Sequence, residues 1–278
     1  MSEPTRTEAL AKLDTYVIKV GYPDKPRDYA TLAIAANDLY GNAKRAGALD
    51  WQFYVDRMRG PVDRSDWVMT PQTIDAYNGT LRDIVFPAGI LQPPIFDPTA
   101  DPAVNYGGAG AVIGHELTHG FDDQGRQLDA AGALRDWWQP SDAQAFVTRA
   151  KRLSAQYAAF EPLPGAHVNG DLTLGENIAD LGGLLLALDA YRASLNGKPA
   201  PVLNGLSGEQ RVLLGWAQVS RTKLTNDALR RQIVSDIHSP AQFRVNGPVR
   251  NIDAWYTAFG VSERNALFVP VADRVRIW

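Results

Sequence analysis

The chain contains no cysteine. That single absence excludes disulfides, thiolate metal ligands and a cysteine nucleophile. It leaves the compartment open, because a reduced cytosolic protein and a large secreted domain can both lack cysteine. No stretch of about 18 apolar residues occurs, so no segment reads as a transmembrane helix. The opening MSEPTRTEALAKLD is polar and lacks the basic and apolar regions of a signal peptide. There is no excess of positive charge. Lys and Arg total 28 against 31 Asp and Glu, a net charge of −3, which is of the wrong sign for nucleic acid and for a polybasic membrane surface. Histidine is rare, with four residues in 278. What is present is ordinary: 45% hydrophobic and 21% charged residues, enough to bury a core and to exclude wholesale disorder. The length suits one large domain or two small ones. No repeat, low-complexity tract or composition shift marks a boundary, so one domain over 1–278 is the expectation.

Local patterns predict mostly helices. Residues 3–19 read as a short helix stopped by Tyr22-Pro23 and Pro26, and 29–59 as one or two more. Residues 73–77 and 83–86 are β-branched and aromatic, with Asn78-Gly79 between them, which predicts a hairpin or edge strand. The prolines at 87, 93, 94 and 98 make the next stretch extended. Gly107-Gly108 opens a small-residue helix to about residue 120. Ser141 is a candidate N-cap for a helix over 142–160. Helices also fit 173–194, 207–222, 226–236 and 251–259. The expected class is α+β, predominantly α-helical, with a small edge sheet.

Two of the four histidines fall in His115-Glu116-Leu117-Thr118-His119. On a helix, positions i and i+4 share a face, so both imidazoles reach one ion. Glu116 projects beside them, where it can take a proton from water at the metal. An HExxH string is expected by chance in roughly 0.003 chains of this composition. Zinc needs a further protein ligand. A third histidine in HExxHxxGxxH would sit at 125, which is Gly125, so that pattern is excluded. The remaining candidate is a later glutamate. Glu176, in Gly175-Glu176-Asn177-Ile178-Ala179-Asp180, lies 57 residues after His119. Glu176 and Asp180 share a helix face, so one can bind the metal while the other accepts the outer ring N–H of a ligating histidine. No serine triad stands out.

On these residues the sequence resembles the neprilysin and endothelin-converting-enzyme family of zinc metallopeptidases. The matching strings are IVFPAGILQPPIF (84–96), VNYGGAGAVIGHELTHGFDDQGRQLD (104–129), LRDWW (134–138), NGDLTLGENIADLGGL (169–184), DIHSP (236–240), FRVNG (243–247) and RVRIW (274–278). The resemblance implies a thermolysin-like (gluzincin) catalytic lobe and one Zn2+ ion. It implies His115, His119 and Glu176 as zinc ligands, Glu116 as general base and Asp180 as the partner of a ligand histidine. It further implies that His238 hydrogen-bonds the oxyanion and that Arg244 grips a substrate backbone carbonyl. The substrates implied are oligopeptides with a hydrophobic residue after the scissile bond. Phe86, Ile90, Ile95, Val112 and Val219 are the candidate lining of its pocket. The family's setting implies an extracytoplasmic location.

Three departures from the family pattern stand out. Its proteins are considerably longer and carry an N-terminal helical lobe that caps the site, so this chain is expected to be the catalytic lobe alone, with the other lobe missing or supplied by a partner chain. Where the family has Asn-Ala-aromatic-Tyr on the strand that holds the substrate backbone, this sequence has Asp75-Ala76-Tyr77, one residue shorter. Where Trp-Ala-Gln-Val-Trp is common, this chain has Trp216-Ala217-Gln218-Val219-Ser220, which puts Ser220 on a wall usually bulky. These departures keep a second reading open: a zinc-binding remnant or fragment, impaired in catalysis, that serves as a peptide-binding scaffold. Turnover of a short peptide, lost in Glu116→Gln with zinc retained, separates the two.

Overall fold

A computed structural model describes all residues, 1–278. Most regular structure is helical, and the single sheet has three strands in the order β1-β3-β2. Helix α1 spans Glu3–Leu13, shorter than the expected 3–19, because Val17–Gly21 leaves it as strand β1. The β-branched Val17, Ile18 and Val20 favour the extended form, and Gly21, at φ +88°, ends the strand. Helix α2 is Leu39–Met58, and none of its residues is buried. Residues 29–38 ahead of it form no helix.

The expected hairpin forms, but its turn lies later. Strand β2 is Tyr77–Gly79 and β3 is Asp83–Pro87, paired antiparallel with Tyr77 opposite Val85. Asn78-Gly79 is therefore strand, and the reversal runs through residues 80–82, with Arg82 at φ 56°. β1 pairs with the other side of β3 in parallel. β3 is buried along its whole length, which suits its unbroken apolar Ile84-Val85-Phe86. Ala76, Ile84, Phe86 and Ile90 make a small core beneath the sheet.

The helix expected from Gly107 begins earlier, at Pro102. It runs as α3 (Pro102–Asn105), then one π turn (Tyr106–Gly110), then α4 (Ala111–His119). Helix α5 is Pro140–Ala158 with Gln139 as its N-cap, so Ser141 does not cap it. Proline at the first helical position moves the start forward, because its missing N–H would be unpaired there in any case. Helices α6 (Leu174–Ser194), α7 (Gly208–Val219), α8 (Asn226–Ser235) and α10 (Asp253–Phe259) fall near their expected places, and Ser207 caps α7 in a capping box with Gln210.

Helix α9 (Ala241–Val249) has no counterpart in the sequence reading, since Gly247 and Pro248 argue against a helix. Tertiary contacts overrule them. Phe243 stacks on Phe160 at 4.3 Å between centroids. A Cβ on Gly247 would lie 2.2 Å from the Tyr157 hydroxyl. Pro248 cannot donate to the carbonyl four residues back, on Arg244. That carbonyl instead accepts from Trp216 Nε1 at 2.9 Å.

The main core runs along α6, where Ile178, Leu181, Leu184 and Leu188 meet Leu153 and Tyr157 of α5 and Val212 and Trp216 of α7. One contact in it fixes the site. Helices α4 and α6 cross at Gly114 and Gly183, where a Cβ on Gly183 would stand 2.6 Å from the Ala111 carbonyl and 2.6 Å from the His115 nitrogen. Only glycine permits backbones this close. The first two turns of α6 are thereby pressed against the histidine face of α4.

Candidate active site

At that crossing α4 offers His115 and His119 and α6 offers Glu176 and Asp180. His115 Nε2 lies 3.0 Å from His119 Nε2, and Glu176 Oε2 lies 3.2 Å and 3.6 Å from the two nitrogens. The other ring nitrogens face carboxylates. His115 Nδ1 is 2.9 Å from Asp180 Oδ1, and His119 Nδ1 is 2.7 Å from Asp122 Oδ2. With each Nδ1–H donated to its carboxylate, two Nε2 lone pairs and a carboxylate oxygen point at one another. Such an arrangement calls for a cation between them.

The spacing tests which cation. A tetrahedral ion with ligand bonds of about 2.0–2.1 Å has ligand–ligand edges of about 3.3 Å. The three edges here are 3.0, 3.2 and 3.6 Å. Glu176 Oε2 is shielded from solvent and makes no well-aligned hydrogen bond. The donor set of two imidazoles and one carboxylate therefore fits zinc, and these three residues could hold it.

The electrostatics say the same. Burial works against the imidazolium of His119, yet Asp122 and Glu176 raise its pKa to about 10. Burial also opposes the charge on Glu176, but the imidazoles of His115, His119 and His238 hold it far below the usual carboxylate range. The cluster attracts positive charge, whether protons or a metal carry it. Glu116 differs: burial dominates and raises its pKa.

Asp180 is completely buried and serves two partners. Besides His115 it accepts from Arg244 Nη2 at 2.7 Å and Nε at 2.9 Å. His238 comes from the loop before α9. Its Nε2 lies 3.2 Å from Glu176 Oε2, and its ring leans on Asp236 at 3.0 Å. The neighbouring Ser239 donates to Asn177 Oδ1 at 2.7 Å, which ties this loop to α6.

A cleft of about 1180 Å3 opens above the cluster. Its lining includes His115, Glu116, His119, Glu176, His238 and Arg244, together with Asp75, Ala76, Ile90, Ile95, Val112, Val219 and Ser220. Phe86 is absent from the lining. It lies on the inner face of β3 in the small core, so the expected pocket position is corrected to a packing one. Asp75 precedes β2 and is exposed, with its Oδ1 accepting from the Ala76 N–H at 2.9 Å. Edge strand β2 is fastened to the histidine helix by Asn78, whose Nδ2 donates to the Glu116 carbonyl at 2.6 Å.

Three residues of the site escape a sequence reading. Asp122 holds His119, and its i,i+3 spacing from that histidine was an available signal. Trp216 both lines the cleft and anchors α9. Asn78 depends on the strand register, since the residues expected to form the turn are strand and the reversal lies at 80–82.

The sequence matches Peptidase family M13 over residues 75–275. The chain belongs to peptidase family M13. Endothelin-converting enzyme 1 of Mus musculus is 41% identical over 263 residues, 90% of this chain and 34% of that protein. Neprilysin-3 of Drosophila melanogaster is 36% identical over 271 residues, 93% of this chain and 34% of that protein. Among solved structures, the zinc metalloprotease Zmp1 of Mycobacterium tuberculosis in complex with an inhibitor superposes with a TM-score of 0.97 at 55% identity. It covers all of this chain, which covers 43% of Zmp1. The family resemblance and the α+β fold with its helical majority are thus borne out. The M13 chain described here spans about a third of the length of the curated relatives it matches.

Proposed function

We propose that this M13 chain is the catalytic lobe of a zinc-dependent endopeptidase that hydrolyses oligopeptides, with a preference for a hydrophobic residue after the scissile bond. The observation that carries the reading is the division of labour on one helix. His115 and His119 turn toward Glu176, while Glu116, between them in sequence, borders the same cleft. In this reading His115, His119 and Glu176 hold the ion. When bound, zinc supplies a Lewis acid that polarises a carbonyl and acidifies water.

The remaining work falls to the chain's own residues. Glu116 accepts a proton from the attacking water and delivers it to the leaving amine. Asp180 and Asp122 keep the Nδ1 proton of each histidine in place, which leaves each Nε2 lone pair free as the ligand that would hold zinc. His238, at the rim beside Glu176, donates to the oxyanion, a kind of contribution measured elsewhere at about 3–4 kcal/mol. Arg244 is pinned by Asp180 through Nε and Nη2, which leaves Nη1 for a substrate carbonyl. The peptide adds as a strand along β2, and Ile90, Ile95, Val112 and Val219 supply the apolar pocket.

The test is a pair of variants. Glu116→Ala is expected to keep one zinc per chain and lose hydrolysis of a short hydrophobic peptide. Glu176→Ala is expected to lose both. Equal zinc loss in the two variants, measured by metal analysis after dialysis, refutes these roles.

A further inference from the structure

The histidine helix α4 ends at His119, and the loop from 120 to 128 that follows carries Asp122. One buried ammonium gathers that loop. Lys12, on α1, is 2% exposed. Its Nζ donates to the carbonyls of Gly120 at 2.6 Å, Gly125 at 2.7 Å and Leu128 at 2.8 Å. An ammonium has three donors, and all three are used. The same nitrogen stands 5.3 Å over the ring of Phe121 and 5.9 Å over that of Trp137. Burial lowers its pKa to about 8, with Asp122 and Asp129 pulling the other way, so it remains a cation at neutral pH. A cation at the carbonyl end of α4 also complements the helix dipole.

The clamp brackets Asp122. That carboxylate accepts from the backbone of Gln124 at 2.9 Å and Gly125 at 2.7 Å through Oδ1, and meets His119 through Oδ2. Its aim is set by a turn whose two ends, Gly120 and Gly125, both give their carbonyls to Lys12. We propose that Lys12 is a positioning residue of the metal site, fixing the carboxylate that orients His119 from 108 residues before Gly120 in the sequence. The proposal rests on the reading of His115, His119 and Glu176 as metal ligands. Lys12 also precedes the segment matched to the family, which starts at residue 75.

The competing account is that Lys12 merely docks α1. The helix has a second anchor that separates the two. Asp142 of α5 accepts from the Ser2 backbone at 3.0 Å and from the Thr5 hydroxyl at 2.6 Å, at the other end of α1 from the clamp. Zinc affinity is measured by competition with a chromophoric chelator on the full chain and on Lys12→Met, Asp142→Asn, Asp122→Asn and the Lys12→Met/Asp122→Asn double variant. Lys12→Met is expected to bind Zn2+ about ten-fold more weakly, the lower end for loss of an outer partner. In the Asp122→Asn background it is expected to add less than about two-fold, since both changes act through one carboxylate. Asp142→Asn is expected to lower Tm and leave zinc affinity unchanged.

Unchanged affinity in Lys12→Met overturns the proposal. So does an equal loss in Asp142→Asn, or the full ten-fold persisting without the Asp122 carboxylate. If Lys12→Met does not fold, Lys12→Arg takes its place. It keeps the charge but cannot bring one nitrogen to three carbonyls, so a loss of about three-fold is expected and no loss overturns the proposal. A wild-type chain that takes up no zinc defeats the metal-site reading itself, which is a separate outcome.

Discussion

Replacing Asp180 by asparagine probes the joint between the histidine cluster and Arg244. One carboxylate serves both sides: Oδ1 meets His115 Nδ1 and Arg244 Nη2, and Oδ2 meets Arg244 Nε. An amide turns one of those oxygens into a donor. Placed at the Oδ2 position it faces Arg244 Nε–H, and placed at Oδ1 it faces both Nη2 and the imidazole. The guanidinium cannot give up a proton, so either rotamer sets donor against donor. Removing one partner of a buried ion pair costs about 3–5 kcal/mol. Arg244 keeps some access to the cleft, with 26% of its side chain exposed, which points to the lower end, about 3 kcal/mol. At about 2–4 °C per kcal/mol for a domain near this size, Tm is expected to fall by roughly 6–12 °C.

The measurement is urea or thermal unfolding with a chelator present, so that metal loss does not add to the difference. Its pH dependence is a second check. Burial raises the pKa of Asp180, but Arg244 and His115 more than offset it and leave it lowered. The native value thus lies below the unfolded one, about 3.9. The stabilisation is complete above that unfolded value and is lost as pH falls through the native one. The Asp180–Arg244 part of the gap between wild type and Asp180→Asn is therefore expected to hold from about pH 8 to pH 5 and to be lost only below about pH 4. Burial opposes the imidazolium of His115, but Asp180 helps to raise its pKa, so protonation of His115 widens the gap as pH falls from about 8 toward 5. A gap under about 1 kcal/mol at neutral pH, or one that closes between pH 7 and 5, refutes the ion-pair account.

Two further outcomes concern substrate. Ser220 ends α7 at the cleft wall, so Ser220→Trp is expected to narrow the range of residues accepted after the scissile bond, and an unchanged cleavage profile across a peptide library removes it from the pocket. In the proposed reading, with a peptide added along β2, Asp75 would offer its backbone an acceptor where asparagine would offer a donor as well. Because Asp75 is exposed in the free chain, the lower end of the cost of an unpaired polar group, about 1 kcal/mol, applies, and Asp75→Asn is expected to raise kcat/KM on short peptides by roughly 5-fold. No change would mean that its bond to the Ala76 N–H, and not the substrate, decides where that side chain points.

The parts of the fold legible in the sequence are those set within a few residues. Ser207 with Gln210, and the long Leu- and Ala-rich run of α6, mark their helices without help from elsewhere. β1 is not legible because five residues after a helix carry too little pattern to be separated from it, and its partner Asp83–Pro87 lies far along the chain. Helix α9 is hidden because its sequence argues against a helix, and only Tyr157, Phe160 and Trp216 overrule it. The turn at 80–82 displaced the one expected at Asn78-Gly79 because register is fixed by burial of Ile84 and Phe86, and an Asn-Gly pair has no claim strong enough to resist that.

The candidate site divides along the same line. His115, Glu116 and His119 lie within one helical turn, and Glu176 and Asp180 within another, so i,i+4 geometry alone predicts which groups share a face. What spacing cannot say is how the two turns meet, and that is settled by Gly114 and Gly183, residues with no chemistry to draw attention. Phe86 shows the converse: its place in a matching motif suggests a pocket wall, while strand alternation within a buried sheet turns it to the core. Lys12 is the limiting case. Alone in the sequence it is one more solvated lysine on a short helix, because nothing local distinguishes an ammonium that will meet water from one that will meet three carbonyls. Its burial follows from where α1 docks, and that docking in turn brings a cation to the end of the histidine helix. An ammonium whose three bonds all go to the loop around a histidine's own partner constrains that histidine. The residues that aim a metal site therefore extend as far as the contacts that hold its loops.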